Sequence, residues 1–149
     1  MLGHTIDLND CEFCKIVAGV EPAEVVYETA DVLAFFPLHP AAVGHTLVIP
    51  KRHVRDIWEL DKELACTLIG SVLDVSRCLR SVLHPEGLNV ISSAGEAASQ
   101  TIFHLHIHVV PRWEGDHIGN IWPPAEPWIE QATEDIAERV RAACAGLAS

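Results

Sequence analysis

From Phe103 to Val110 the chain reads Phe-His-Leu-His-Ile-His-Val-Val, with an imidazole at every other position of its first six residues. That period of two predicts a β-strand spanning Phe103–Val110. Phe103, Leu105, Ile107 and Val109 fall on one face, His104, His106 and His108 on the other. Neighbouring imidazoles then start about 6.6 Å apart along the strand. Burying such rings is costly unless each finds a partner. The segment therefore demands a fold with an apolar core on one side of this strand and partners for three imidazoles on the other. Three readings meet that demand: a solvated polar face, a metal-binding cluster, or nucleophilic catalysis by an imidazole that its neighbours position.

The rest of the chain supplies the core. At 149 residues it is long enough for one domain that buries roughly 68–70% of its unfolded surface. Val25–Tyr27, Val32–Phe36, Thr46–Ile49 and Leu88–Ile91 read as further strands. Leu64, Leu68, Val72, Val75, Leu79 and Val82 form one apolar stripe over residues 61–83, with Asp61 as a plausible N-cap. Ile129, Ala132, Ile136, Val140 and Ala143 mark a C-terminal amphipathic helix. The pattern predicts an α+β fold: a mainly antiparallel five-stranded sheet with one long helix packed on it and a C-terminal helix. We read residues 1–149 as a single domain, with a core at about 11–112 and an extension over 113–149 that holds Trp122-Pro123-Pro124.

Charge and composition exclude several functions. The net charge is −11, with only 10 Lys and Arg in no block. That argues against nucleic acid and anionic membrane as partners. No apolar run reaches the roughly 18–20 residues of a membrane span. The N-terminus lacks a basic start followed by an apolar core, so a cytoplasmic protein is expected. Five cysteines make a disulfide framework unlikely to be the scaffold. Cys66, Cys78 and Cys144 are expected to be buried small apolar residues. Cys11 and Cys14 form a C-x-x-C pair of separate meaning.

His104-Leu105-His106-Ile107-His108-Val109-Val110 resembles the His-φ-His-φ-His-φ-φ signature of the histidine triad (HIT) superfamily. The resemblance extends to Cys11-x-x-Cys14-Lys15-Ile16-Val17-x-Gly19, to Leu33-Ala34-Phe35 and Pro40, to Gly44-His45-Thr46-Leu47-Val48-Ile49-Pro50-Lys51-x-His53, and to Ser99-Gln100-Thr101-Ile102-Phe103. These matches run in order over residues 11–112. The segment is most similar to the Hint-like phosphoramidase branch, although Pro111-Arg112 looks more Fhit-like.

The resemblance implies a HIT-like fold and a nucleotide-binding hydrolase or transferase. It would act on the α-phosphate of nucleoside 5′-phosphoryl compounds, of the AMP phosphoramidate or aminoacyl-adenylate type. Mapped by motif, His106 is the nucleophile and forms a nucleotidyl-histidine intermediate. His108, His45, Gln100 and Thr101 complete the expected catalytic set. Imidazole suits the task because much of it is unprotonated at neutral pH. Phe36, Leu38, Ser93, Ser99, Gln100, Thr101, His106 and His108 are the expected nucleotide contacts. Pro37 and Ser93 depart from the family, which commonly has Asp or Asn at the first position and Asn or Gln at the second. Some bacterial relatives bind zinc at the positions of Cys11, Cys14, His53 and His104, a closed set that suits structural zinc. A metal-free thiol pair and a redox dithiol are the alternatives. No organic cofactor is expected. The resemblance further implies a homodimer. The alternative functions are a dinucleoside polyphosphate hydrolase or phosphorylase, and a nucleotide-binding or interaction module of weak activity.

Overall fold

The computed structural model describes residues 10–147. Five strands form one sheet in the order β1-β2-β3-β5-β4, antiparallel throughout. They are β1 (Glu24–Glu28), β2 (Val32–Phe36), β3 (Thr46–Pro50), β4 (Gly87–Ser92) and β5 (Ile107–Arg112). A short helix α1 (Glu12–Val17) precedes them, and a long helix α2 (Lys62–Leu83) separates β3 from β4. A last helix, α3 (Pro127–Ala145), follows β5. The compact unit that carries the sheet ends at Asp116, and His117 begins a second unit, which contains α3. The α+β architecture expected from the sequence is the one observed. Among the described residues no helix is long and apolar enough to cross a membrane.

Local chemistry explains the elements. The Thr29 hydroxyl oxygen accepts from the Val32 amide at 3.1 Å, which tightens the turn between β1 and β2. Asp61 caps α2 by accepting from the Leu64 amide at 2.8 Å. Leu64, Leu68, Val72, Val75 and Leu79 then face one side of the sheet. They pack there with Val32, Ala34, Val48, Leu105, Ile107 and Val109. Alternate residues of the same strands, Leu33, Phe35, Leu47 and Ile49, form a second cluster on the other side with Phe13 of α1. The central strands β2 and β3 are thus buried on both faces, and the histidines belong to the α1 side.

Three expectations are corrected. The strand does not begin at Phe103: residues 103–106 lie outside any ladder, and β5 runs on through Pro111 to Arg112. Leu105 instead donates its amide to the Val54 carbonyl at 2.6 Å. Pro111 is tolerated because β5 pairs with β3 only as far as Val109, which frees one side of the strand from ladder bonds. Val82 is 75% exposed, because the apolar stripe of α2 continues through Leu83 at the next helical step. Cys66, Cys78 and Cys144 are all exposed; Cys66 and Cys78 lie off the buried stripe of α2.

Gly44 sets the loop before β3. Its φ is +82°, and a Cβ there would lie 2.4 Å from Leu83 Cδ1 and 3.3 Å from Pro111 Cγ. Gly19 also has positive φ, +75°, but a Cβ there would meet nothing within 4 Å. Gly19→Ala should therefore lose only the backbone strain, roughly 1–2 kcal/mol. Gly44→Ala should lose that plus overpacking, roughly 2–5 kcal/mol together. Urea unfolding of both variants checks this; equal losses would contradict the packing account.

Candidate active site and metal centre

The site is best built outward from His104, which is fully buried. Its Nε2 lies 2.8 Å from the Pro50 carbonyl. A carbonyl can only accept, so Nε2 carries the proton and Nδ1 carries a lone pair. Nδ1 faces two thiols, Cys11 Sγ at 3.4 Å and Cys14 Sγ at 3.5 Å. His53 Nδ1 is 3.3 Å from Cys14 Sγ. The four potential ligand atoms all lie within 4.8 Å of one another. A tetrahedral zinc with ordinary bond lengths would place sulfur and nitrogen ligands about 3.5 Å apart. These three sulfur–nitrogen distances fit that edge. The donor set, two thiols and two imidazoles, fits as well.

Helix α1 supplies the cysteine geometry. Cys11 is the N-cap, and its sulfur accepts from the Cys14 amide at 3.4 Å. Burial, then the hydrogen bond and charge of Cys11, push the Cys14 thiol up to about 11. Such a thiol would not ionise unaided. A cation bound to it reverses that balance, since a coordinating thiol loses its proton. His53 Nε2 is buried without a hydrogen-bond partner among the described residues.

His106 stands beside this cluster. Its Nδ1 is 2.8 Å from the carbonyl of His104. By the same logic Nδ1 holds the proton, and Nε2 is an unprotonated lone pair. Burial lowers the pKa of His106, with the bond to the His104 carbonyl opposing it. The Phe13 ring stands edge-on to both histidines, at centroid distances of 5.3 Å to His106 and 5.8 Å to His104.

His45 and His108 form the far end. The Ala41 amide donates to His45 Nδ1 at 3.0 Å. The proton of a neutral His45 is therefore on Nε2, which lies 2.9 Å from His108 Nδ1. His108 must accept there, so its own proton sits on Nε2. Burial, then the charge of His106 and His45, lowers His108 to about 4. Burial followed by the charge of His106 also lowers His45. The rings of His106 and His108 touch, with centroids 4.9 Å apart. One backbone amide and two backbone carbonyls thus fix all four tautomers.

The remaining expected residues divide. Gln100 is buried, but both amide hydrogens are engaged, by the Arg55 carbonyl at 2.9 Å and the Ile102 carbonyl at 3.1 Å. Its Oε1 accepts from the Gly95 amide at 2.8 Å. In this arrangement Gln100 braces three segments and has no amide hydrogen left for a ligand. Ser99 and Thr101 are exposed on the loop leading to the histidines, and Ser93 is half-buried just past β4. Leu38 is 86% exposed. Phe36 is on the wrong face. It lines an apolar cavity of about 410 Å³ on the α2 side, with Tyr27, Val43, Val75 and Val82. The pleat brings Phe35 to the histidine side instead, edge-on to Phe13 at 5.4 Å. Phe13 and the amide of Ala41 were not anticipated. Phe13 had a signal, as the large apolar residue inside the C-x-x-C. A backbone amide has none.

A family model described as the HIT domain matches residues 18–115. "Protein hit" of Bacillus subtilis (strain 168) is 43% identical over 115 residues, covering 76% of this chain and 79% of the relative. The adenylylsulfatase HINT3 of Arabidopsis thaliana is 35% identical over 108 residues, covering 72% of this chain and 55% of the relative. The crystal structure of a HIT family protein from Bacillus anthracis superposes with a TM-score of 0.81 at 35% identity, covering 91% of this chain and 97% of that one. A Zn-bound histidine triad family protein from Mycobacterium smegmatis gives 0.71 at 34%, covering 91% and 98%. A hypothetical histidine triad nucleotide-binding protein from Sulfolobus tokodaii gives 0.69 at 36%, covering 76% and 78%.

The lowered imidazoles make stability depend on pH. In the unfolded chain His45 and His108 take up protons near the ordinary 6.5, whereas folded His108 resists until about 4. The unfolded state then binds more protons throughout that window, so stability is full above it and falls as pH drops through it. The thermal midpoint should decline from about pH 6.5 towards about pH 4, and less steeply in His108→Asn. Parallel melting curves that decline equally in both proteins would contradict the assignment.

Proposed function

The chain belongs to the HIT family, and from that premise we propose that it hydrolyses nucleoside 5′-phosphoryl compounds with His106 as the nucleophile. The observation that carries this reading is the bond from His106 Nδ1–H to the His104 carbonyl. It leaves Nε2 as a lone pair on a buried, neutral ring, ready to attack without a separate base. In the first step Nε2 bonds to the α-phosphorus and the bond from phosphorus to the leaving group breaks. The leaving group departs with its electron pair and takes a proton from solvent. In the second step water attacks the nucleotidyl-histidine, the P–N bond breaks, and a nucleoside monophosphate is released with His106 restored.

His108 has the complementary role. Its Nε2–H, fixed by the Ala41–His45–His108 series, can donate to a phosphoryl oxygen or to the leaving atom. The hydroxyls of Ser99 and Thr101 are further donors on the approach loop. Gln100 acts by holding that loop. The adenylylsulfatase relative supports a hydrolase, and the histidine triad nucleotide-binding structure supports a nucleotide ligand. Phosphoramidates and aminoacyl-adenylates are the preferred substrates. The Fhit-like Arg112 is tied to Asp116 at 2.6 Å and to Asn89 at 2.6 Å, so it adds no argument for longer polyphosphates.

Cys11, Cys14, His53 and His104 would hold a zinc ion, as the Zn-bound relative supports. With four protein ligands it would be structural, crosslinking α1 to the segments after β3 and before β5, with no open position for water. Dimerisation belongs to the same reading. It is supported by the edge position of β4 and the exposed Leu88, Val90, Ile69 and Leu73.

Protein purified without chelator should carry one zinc per chain by elemental analysis, and none would remove the metal reading. His106→Ala should lower kcat/KM for release of AMP from adenosine 5′-phosphoramidate by roughly 10⁴-fold or more. Turnover within tenfold of the parent would sink the nucleophile assignment. Tight AMP binding with no turnover by the parent would favour the binding-module alternative.

A further inference from the structure

We propose that the metal centre positions the nucleophile, with His104 as the positioning residue that joins the two. The proposal rests on the reading of His106 as nucleophile and of Cys11, Cys14, His53 and His104 as zinc ligands. His104 faces both ways. Its ring presents Nδ1 to Cys11 and Cys14, while its main-chain carbonyl accepts the Nδ1 proton of His106. A ligated ring restrains Cβ, and through Cβ it limits the movement of Cα and of that carbonyl.

Besides the bond from the His104 ring to the Pro50 carbonyl and the burial of Leu105, this segment has no ladder to restrain it. Residues 103–106 lie outside the sheet ladder, which starts at Ile107. The Leu105 amide is held by the Val54 carbonyl. Val54 follows one proposed ligand, His53, and Leu105 follows the other, His104. An ion shared by both histidines therefore closes a clamp around this one backbone bond. The His53 and His104 rings already stand edge to face at 5.0 Å.

A second connection runs through α1. Phe13 lies between the two cysteine ligands in sequence, and its ring makes T-shaped contacts with both His104 and His106. Tying Cys11 and Cys14 to the ion fixes α1, and with it the wall against which the nucleophile rests. Loss of the ion releases the carbonyl side and the Phe13 side of His106 together. A displacement of about 1 Å at a reacting group can cost roughly 10²-fold in rate.

The test compares zinc-loaded protein with the same protein stripped by chelator, its fold checked by circular dichroism. Long-range ¹H–¹⁵N spectra read the His106 tautomer, assigned by the signal lost in His106→Asn. Loaded protein should show one Nδ1–H tautomer, and stripped protein an exchanging mixture that zinc restores. The rate of nucleotidyl-enzyme formation from adenosine 5′-phosphoramidate should fall roughly 10–100-fold while AMP affinity stays within about threefold. A folded, stripped protein that keeps the single tautomer overturns the proposal, as does a chain that takes up no zinc. His53→Asn is measured alongside, because it removes one ligand without touching His106 or Phe13. Should the stripped parent unfold, this variant decides: a zinc-dependent His106 signal supports the coupling and a zinc-independent one overturns it. Absence of turnover in loaded protein would instead defeat the functional reading and leave the spectral comparison able to judge the coupling.

Discussion

One hydrogen bond organises the candidate site of this molecule. The His106 Nδ1 proton is given to the carbonyl of His104, two residues back. Because a carbonyl cannot donate, the opposite nitrogen of His106 is left bare. Everything nearby serves the placement of that bond. The Pro50 carbonyl holds the far side of the His104 ring. Two thiols and His53 surround the near side. Phe13 supplies an apolar wall to both rings. The sheet brings these parts together by alternation, giving one face to α2 and the other to the histidines.

The electrostatics fit the same scheme. A net charge of −11 cannot draw a phosphate by its overall field. The imidazoles cannot do so by charge either, since burial keeps His45, His106 and His108 neutral at physiological pH. Recognition of an anion must then rest on oriented donors and on water exclusion, which strengthens them. Neutrality also keeps the lone pair of His106 available, so the same burial serves binding and reactivity. The proton positions along Ala41, His45 and His108 follow from a single backbone amide.

Much of this was legible in the residues. Alternation of His104, His106 and His108 with Leu105, Ile107 and Val109 gave the two faces. The C-x-x-C was visible by itself, but His53 and His104 joined it only through the resemblance to the HIT family; the structure brings the four together. Asp61 and the stripe from Leu64 to Leu79 gave α2. What escaped was set by tertiary partners. The strand starts late because Leu105 bonds to Val54 rather than to a ladder. Phe36 falls on the α2 side because a single pleat decides the face, and sequence alone did not fix its phase there. Gln100 looked like a ligand donor because its three backbone acceptors and donors are remote in sequence or invisible as side chains. Cys66 and Cys78 looked buried because small apolar residues carry little periodic signal.

The central claim is that a bare nitrogen on His106 attacks phosphorus. The measurement that bears on it most closely is rapid quenching of the protein with adenosine 5′-phosphoramidate, followed by peptide mapping by mass spectrometry. The account predicts an adenylyl group on the peptide that contains His106, located on that residue and discharged by water as AMP appears. An adenylyl group on another residue, or turnover to AMP with no covalent species formed at a competent rate, would contradict it.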